Sequence, residues 1–566
     1  MKQCKFLLIL VLLLCMPVVA AAAAIPTISV EELQPGMHGY AKTVIKGVNI
    51  ETFDVEVLGV TGSDVTGHNI LIKASGPLIE RSGGIAQGMS GSPVYIDGRL
   101  AGAVAYGKAF SDPNYCFLTP IGEMLKMFDN YDPRPAVFLP KNTPLMVSGF
   151  TDDGIKYLSD KLLPMGLKTY AVPTGNQDLS KVALEPGSSI GVELVRGDMS
   201  IGAIGTVTWK DDETGRILAF GHPFLQRGVA DYFMTNAWIF ASIPNMESAF
   251  KVGALGNLKG RISQDRATGI AGQLKENPKI IPMFVSATDK DRGLHKTATV
   301  QLITDEDLVP SLVDSICYNV FNKTVDRKGG GTSHITFNIT ARGENSGQIN
   351  LRRENMFYNS NDIAKATNGE LAYACDMLMK NKFEKVTIFA INVDVEATSD
   401  FEVAEIVSAK IPKEKFKPGG TIPLLIEFKP YRAKNFTKEI AFKVPETQKP
   451  GPMNIVIRGG NAYAWLTKLI KKQQEAKSGA PVVAKRLTLK EFLDEFNEAD
   501  SNNEIVVDIL PNTHKKVGEQ ASESKETTPV ATNLQSMMKG SKYKQKYPLK
   551  FIANGDIEMT VVVGKK

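Results

Sequence analysis

Short segments of alternating polar and apolar residues, separated by glycine-rich turns, run from Ile25 to about residue 245 and limit the possible folds of this chain. In "FDVEVLGV" the side chains of Phe53, Val55 and Val57 fall on one face, which is the two-residue period of a half-buried strand. "SPVYIDGRLAGAVAYG" continues the pattern across Asp97–Gly98, a dipeptide typical of tight hairpins. "GAIGTVTW" and "RILAFG" likewise flank the turn "DDETG". The pattern predicts a mainly β fold built from hairpins.

The 566 residues are too many for one hydrophobic core, so several domains are expected. A proline-rich connector, "DPRPAVFLPKNTP", separates two β-rich halves, and regularly spaced strands further on predict a small antiparallel β-sandwich of the Ig-like kind. Thr488, followed three residues later by Glu491, predicts the start of a helix. The expected order is a signal peptide (1–24), two β halves (25–145 and 146–245), a mixed α/β region (246–380), the sandwich (381–460), and helices, a disordered polar linker and a terminal strand (461–566).

The first 24 residues have the layout of a secretory signal peptide: early lysines, an apolar run from Phe6 to Leu14, and an alanine-rich exit. We therefore expect export to the periplasm, the cell envelope or the medium. Lipid attachment at Cys15 is the alternative, which the leucine before it disfavours. No later segment is apolar for long enough to span a bilayer.

Charge and cysteine content exclude several function classes. The formal net charge of +5 is small for 566 residues and predicts no nucleic-acid binding. Beyond the leader the cysteines are Cys116, Cys317 and Cys375, too few and too widely spaced for a disulfide framework or a zinc site. A Cys317–Cys375 bridge and free buried thiols are both compatible with this spacing. No cofactor and no metal site is expected.

Ser90 lies in the glycine-rich stretch "GGIAQGMSGSPVYIDG" and is the candidate nucleophile. Glycine permits the backbone torsions of a turn that exposes a hydroxyl and aims N–H groups at a developing oxyanion. The N–H groups of Gly88 and Ser90 are the expected donors. A glycine–serine turn before a strand, without chemistry, is the alternative interpretation, and Ser92 is the other hydroxyl.

A nucleophilic serine needs a base, and His222 is the leading candidate because it follows the strand "RILAFG" and begins the loop "HPFLQRG". His68 is closer to Ser90 in sequence, although closeness in sequence says little about closeness in space. The remaining histidines lie in a turn, in later domains or in the polar tail: His38, His295, His334 and His514.

The serine stretch resembles the serine motif of the SpoIVB peptidases, which are serine proteases of the chymotrypsin-like class. "GAIGTVTWKDDETGRILAFGHPF" resembles the histidine motif of the same family. The resemblance covers about residues 25–245. It implies a double β-barrel, with Ser90 as nucleophile, His222 as general base and a protein or peptide as substrate.

Two departures from the family accompany this resemblance. The family places its histidine before its serine, whereas here His222 follows Ser90, so the two halves are expected in permuted order. In "SGPLIERSGG" the place of the family's aspartate is taken by Ser75. Ser75, Asp198 and Asp231 are the candidates for orienting the histidine. Loss of a triad acid typically lowers turnover roughly 10⁴-fold.

Two functions follow from these features. The first is an exported serine endopeptidase that uses Ser90 and His222. The second is a catalytically impaired pseudoprotease that acts as a secreted or envelope scaffold, with the sandwich at 381–460 available to an envelope partner.

Overall fold

The computed structural model describes residues 25–63, 67–107, 111–129, 144–245, 248–412, 415–460, 488–510 and 543–564. The leader predicted over 1–24, the helix predicted at "AWLTKLIKKQQEAK" and most of the polar linker lie outside these residues. The described chain is mainly β. It divides into two compact units, one within Met1–Ile280 together with Ile303–Asp305, the other formed by Ile281–Leu302 and Glu306–Lys566. None of the described helices combines the length and the apolar character that a membrane crossing requires.

Six antiparallel strands close into the first barrel of the first unit, in the order β1-β2-β3-β6-β5-β4. The buried side chains include Phe53, Val55 and Val57, which confirms the alternation predicted for this strand. Asp97 and Gly98 both have positive φ and join two paired strands, so the hairpin predicted there is also confirmed. The strands are β1 (His38–Thr43), β2 (Glu51–Ser63), β3 (Gly67–Ser75), β4 (Pro93–Ile96), β5 (Arg99–Tyr106) and β6 (Tyr115–Pro120), with helices α1 (Pro77–Ser82) and α2 (Ile121–Leu125).

A second ring of six strands follows in the same unit. Each strand pairs with the next in the cyclic order β9-β12-β13-β14-β11-β10, and β10 returns to β9. The turn of "DDETG" joins β10 to β11, as the sequence predicts. The elements are β7 (Leu145–Ser148), α3 (Asp152–Leu162), β8 (Thr169–Ala171), β9 (Ser189–Gly197), β10 (Ser200–Lys210), β11 (Arg216–Ala219), β12 (Gly228–Ile243), β13 (Phe250–Arg266) and β14 (Gly269–Leu274).

The second ring extends to Leu274, whereas the predicted histidine-bearing half stops at residue 245. The two strands on either side of that boundary, β12 and β13, are paired to each other, with Ile243 opposite Phe250. Their register shifts at four places between Val229 and Ala241. Each bulge interrupts the alternation of buried and exposed side chains, which is why the pattern in the sequence fades here.

The second unit begins with a mixed sheet in the order β18-β17-β19-β15-β16. Strand β19 runs parallel to β15, and the other pairs are antiparallel. Helix α4 packs against β15 and α6. The elements are β15 (Ile281–Asp289), β16 (Leu294–Leu302), α4 (Val309–Val325), β17 (Gly331–Gly343), β18 (Gly347–Asn359), α5 (Ile363–Thr367), α6 (Gly369–Met379) and β19 (Val386–Thr398).

Two further sheets share one hydrophobic core in the C-terminal part of the second unit. Their orders are β23-β22-β20-β27 and β21-β28-β24-β25-β26. The predicted cap at Thr488 is confirmed, because its hydroxyl accepts from the N–H of Glu491 at 3.2 Å. The elements are β20 (Val403–Lys410), β21 (Lys415–Phe416), β22 (Thr421–Pro430), β23 (Phe436–Lys443), β24 (Gly451–Gly459), α7 (Leu489–Asn497), β25 (Glu504–Ile509), β26 (Gln545–Pro548), β27 (Ile552–Asn554) and β28 (Asp556–Val563).

These two sheets include the strands predicted between residues 403 and 459, together with strands from 504–563. The first strand predicted for the sandwich, β19, pairs instead with β15 and β17. Among the described residues, Cys116, Cys317 and Cys375 are buried and form no disulfide, so Cys317 and Cys375 are buried thiols and not the bridge that their spacing also allowed.

Candidate active site

The loop that carries Ser90 is held by its own carbonyl groups. The carbonyl of Gln87 accepts from the backbone N–H of Lys251 at 2.9 Å, and that of Met89 accepts from the N–H of Ser92 at 2.9 Å. The C=O and N–H of a planar trans peptide point in opposite directions. The N–H groups of Gly88 and Ser90 therefore project away from these partners.

Neither of those two N–H groups donates to an acceptor within the described residues. An oxyanion hole requires two unengaged donors, and these two N–H groups lie on either side of the Gly88–Met89 peptide. Gly88 has φ +91°, a conformation that residues with a side chain rarely adopt. The two N–H groups predicted as oxyanion donors are thus unengaged within the described residues, and Ser90 itself is partly exposed.

Strand β10 of the second ring also binds this loop. The backbone N–H of Thr206 donates to the Ser90 carbonyl at 2.8 Å, and the Thr206 hydroxyl donates to the Gly88 carbonyl at 3.0 Å. The hydroxyl of Thr208 donates to the Gly91 carbonyl at 2.8 Å. The loop of the first barrel that carries Ser90 is therefore fixed by a strand of the second ring.

His222 follows β11, after Phe220 and Gly221, which both have positive φ. Its ring is buried, and Nδ1 lies 2.7 Å from the carbonyl oxygen of Pro223. A carbonyl only accepts, so Nδ1 must carry the proton and Nε2 must keep its lone pair. Burial lowers the pKa of His222 to about 4, so the ring is neutral at pH 7. It is held in the tautomer that a general base requires.

The segments that carry Ser90 and His222 meet at one strand of the first barrel. The N–H of Gly91 donates to the Val104 carbonyl at 2.7 Å, and a Cβ on Gly221 would lie 3.0 Å from the same oxygen. A Cβ on Gly91 would also lie 2.5 Å from the backbone nitrogen of Phe220. The residues beside the two candidate catalytic side chains are thus in contact, although no hydrogen bond in the described structure joins Ser90 to His222.

Comparison with known families gives one match, which covers the serine half. Residues 19–125 match the SpoIVB peptidase S55 family. The match spans the first barrel with Gly88 and Ser90, and confirms the resemblance inferred from the serine motif. It ends before the second ring, so the assignment of the histidine motif and the permuted order stay predictions. No curated protein and no solved structure matches the chain.

The three candidates for orienting the histidine lie elsewhere. Ser75 ends β3, opposite Asp54 of β2. Asp231 lies 3.5 Å from Arg261 and accepts from the N–H of Lys279, and Asp198 lies in the turn between β9 and β10. None of the three hydrogen-bonds to His222, whose partner is the Pro223 carbonyl. His68, the alternative base, lies near the end of the β2–β3 hairpin, opposite Gly62.

Asp265 in β13 organises the loop that follows His222 and was missed in the sequence. Its carboxylate accepts from the N–H groups of Phe224 and Leu225, both at 2.7 Å. Burial raises the pKa of Asp265 to about 6. No signal in the sequence links it to His222, because the two positions come together only when β13 closes the second ring beside the loop.

Proposed function

We propose that this protein is a serine endopeptidase in which Ser90 is the nucleophile and His222 the general base. The S55 match over residues 19–125 supports the reaction class. The observation that carries the proposal further is the pair of unengaged N–H groups at Gly88 and Ser90 on a loop locked by its own carbonyls. Such a preorganised donor pair favours an oxyanion over a neutral carbonyl.

The reaction follows the chemistry of acyl transfer. Ser90 Oγ attacks the carbonyl carbon of the scissile peptide as its proton passes to His222 Nε2, and the oxyanion is bound by the Gly88 and Ser90 N–H groups. The imidazolium then gives the proton to the leaving amine as the C–N bond breaks. Water releases the acyl group by the reverse sequence. Catalytic hydrogen bonds often form only when substrate is bound, so the Ser90–His222 bond belongs to that complex.

The hydrogen-bond partner of His222, a neutral carbonyl, determines the turnover rate that we expect. A pKa of about 4, against an ordinary value near 6.5, means that the imidazolium is roughly 3 kcal/mol less stable here than in water. The Pro223 carbonyl orients the ring, but it carries no full charge to offset that cost. We therefore expect slow turnover compared with proteases that use a buried aspartate.

The environment of His222 also favours the second candidate function, a pseudoprotease of the same fold. A histidine that is buried, without a carboxylate partner and not bonded to the serine fits a site that has lost its chemistry. Nothing in the described residues supports the envelope partner expected at 381–460, and we do not propose one.

A fluorophosphonate probe separates the two functions, since only an activated serine displaces its fluoride and becomes phosphonylated. We expect labelling of the wild type, no labelling of Ser90→Ala, and a large loss in His222→Ala. Ser92→Ala is the matched control, because Ser92 is two residues away, buried and without a hydrogen-bond partner for its hydroxyl. A folded wild type that is neither labelled nor able to cleave a peptide library would establish the pseudoprotease.

We also propose export and a permuted double barrel. Export is supported by the leader pattern of residues 1–24, and the mass of the protein recovered outside the cytoplasm would test it. The permuted order is supported by two closed rings of strands, the first with Ser90 and the second with His222, an architecture consistent with a chymotrypsin-like fold.

A further inference from the structure

Lys251 is a buried lysine with no acidic partner among the described residues. Its side chain is 1% exposed, and its ammonium nitrogen donates to the hydroxyls of Thr43 at 3.0 Å and Thr206 at 3.4 Å. Taking an ammonium out of water costs several kcal/mol unless hydrogen bonds compensate, so unpaired buried lysines are rare. Two threonine hydroxyls replace only part of that hydration. A lysine retained at such a position calls for an explanation.

The side chain of Lys251 runs directly beneath the serine loop. A Cβ built on Gly88 would meet the Cβ, Cγ and Cδ of Lys251 at 3.1–3.2 Å. The backbone N–H of the same lysine donates to the Gln87 carbonyl. One residue of β13 therefore contacts the loop through both its backbone and its side chain, at the first of the two oxyanion donors.

The hydrogen bonds from Lys251 reach the loop in a fixed direction. The Thr206 hydroxyl has a single proton and gives it to the Gly88 carbonyl at 3.0 Å. Towards Lys251 the same hydroxyl must accept. A chain thus runs from the lysine ammonium through Thr206 Oγ1 to the Gly88 oxygen. When the lysine is protonated, its charge strengthens the bond that follows it in the chain.

We propose that Lys251 is a positioning residue that fixes the oxyanion hole of the Ser90 site through Thr206. Its backbone N–H holds the Gln87–Gly88 peptide, and its ammonium, through Thr206, holds the Gly88–Met89 peptide. With both carbonyls held inward, the Gly88 N–H faces the position of the substrate oxyanion. This role rests on the proposed function, because it needs an oxyanion to stabilise.

Thr43 and Thr206 offer a matched pair of variants. Both are fully buried and both accept from the lysine, but only Thr206 passes the interaction to Gly88. Valine has nearly the shape of threonine and removes the hydroxyl in each case. Thr206→Val keeps its backbone N–H on the Ser90 carbonyl, so it breaks one link of the chain and leaves the other contact.

The test is the kinetics of fluorophosphonate labelling, separated into the inactivation rate constant and the probe affinity. Removing a whole oxyanion donor lowers rates about 10²–10³-fold. For Lys251→Met and Thr206→Val, which misalign a donor without removing it, we expect the rate constant to fall about 10–100-fold with little change in affinity. The double variant should be no slower than either single one, since both break the same chain. Thr43→Val should label at the wild-type rate.

Each outcome has a defined meaning. Equal rate constants in wild type, Lys251→Met and Thr206→Val would overturn this inference while leaving the proposed function intact. A loss in probe affinity alone, or an equal loss in Thr43→Val, would reduce Lys251 to a structural role and also overturn it. A folded wild type that is not labelled overturns the proposed function, and the inference with it. If Lys251→Met does not fold by circular dichroism, Thr206→Val alone decides.

Discussion

Replacing Lys251 with methionine should remove a specific pH dependence from the stability of the first unit. Burial lowers the pKa of Lys251 to about 7 in the folded protein, whereas an exposed lysine has a pKa near 10.5. Between these two values the unfolded chain binds one more proton than the folded chain. The free energy of unfolding therefore rises with pH across this window in the wild type, and Lys251→Met lacks this contribution.

The magnitude follows from the two pKa values. At pH 7 the folded lysine is about half protonated, and at pH 9 it is nearly neutral, while the unfolded lysine stays charged at both. Integrating the proton difference at 1.36 kcal/mol per unit gives roughly 2 kcal/mol of added stability from pH 7 to pH 9. The groups whose polar atoms contact the side chain, Thr43 and Thr206, do not titrate in this range, and burial is the cause of the shift.

The assay must report the first unit alone, because a chain with two units does not unfold in one step. Of the three tryptophans, Trp209 and Trp238 lie in the first unit and Trp465 lies beyond it. In a Trp465→Phe background, tryptophan fluorescence during urea unfolding follows the first unit. We would measure the wild-type lysine and Lys251→Met in this background at pH 7, 8 and 9.

The difference in unfolding free energy between the two proteins should grow by roughly 2 kcal/mol from pH 7 to pH 9, in favour of the lysine. Thr43→Val serves as a control for the loss of a buried hydroxyl, and it should retain the pH dependence. A difference that stays constant across the three pH values would show that Lys251 titrates at its ordinary pKa. The burial of its charge in this site would then be refuted.

Three further predictions concern other buried groups. Asp265→Asn should lower the free energy of unfolding by about 1–3 kcal/mol, since an amide NH₂ would face one of the N–H groups of Phe224 and Leu225. Because burial raises the pKa of the folded aspartate to about 6, the stability advantage of the wild type should shrink as pH rises from 4 to 6. Urea unfolding at several pH values would detect this change. Gly91→Ala should destabilise the first unit by more than about 2 kcal/mol, because Gly91 has φ +94° and a Cβ there would clash with Thr206 and Phe220. Gly98→Ala is the control, because Gly98 also has positive φ but a Cβ there would lie in open space; it should lower the free energy of unfolding by only about 1 kcal/mol, as measured by urea unfolding. Cys317 and Cys375 should resist a thiol reagent until urea is added, because burial raises the pKa of both thiols and hides both side chains. Peptide mass spectrometry before and after denaturation measures the labelling of each cysteine. Labelling of either cysteine in the native protein would contradict the prediction.

Local pattern was sufficient to predict strands and a hairpin of the first barrel, whose closure was expected only from the family resemblance. Pairing geometry explains why local pattern was insufficient for the second ring. Strand β2 keeps its period over Phe53, Val55 and Val57, and Asp97–Gly98 has the turn chemistry that its hairpin needs. In β12 and β13 four register shifts break the period, so the end of the ring could not be located. The strands after residue 504 were hard to place for a different reason, because their partners lie far back in the chain.

At the candidate site, too, some residues could be predicted from local pattern and others could not. Ser90, with its glycine neighbours, and His222, at a strand end, are visible because nucleophile loops and strand-end histidines have local signatures. Lys251 and Asp265 have none. Both stand in the strand β13, Lys251 between Phe250 and Val252 and Asp265 between Gln264 and Arg266, and only the closure of the ring buries them. Their functional interpretation depends on the loss of water, which is a property of the folded structure and leaves no mark on neighbouring residues.

In the proposed site, two residues together take over part of the role that an aspartate has in a catalytic triad. In a protease with an aspartate, one carboxylate both orients the histidine and stabilises its charge. Here the Pro223 carbonyl orients His222, and Asp265 holds the loop that carries that carbonyl through the N–H groups of the next two residues. Orientation is retained and charge stabilisation is not. Labelling by a fluorophosphonate passes through the imidazolium once, when Ser90 gives its proton to His222, whereas turnover of a peptide passes through it twice. Labelling should therefore be retained better than peptide turnover.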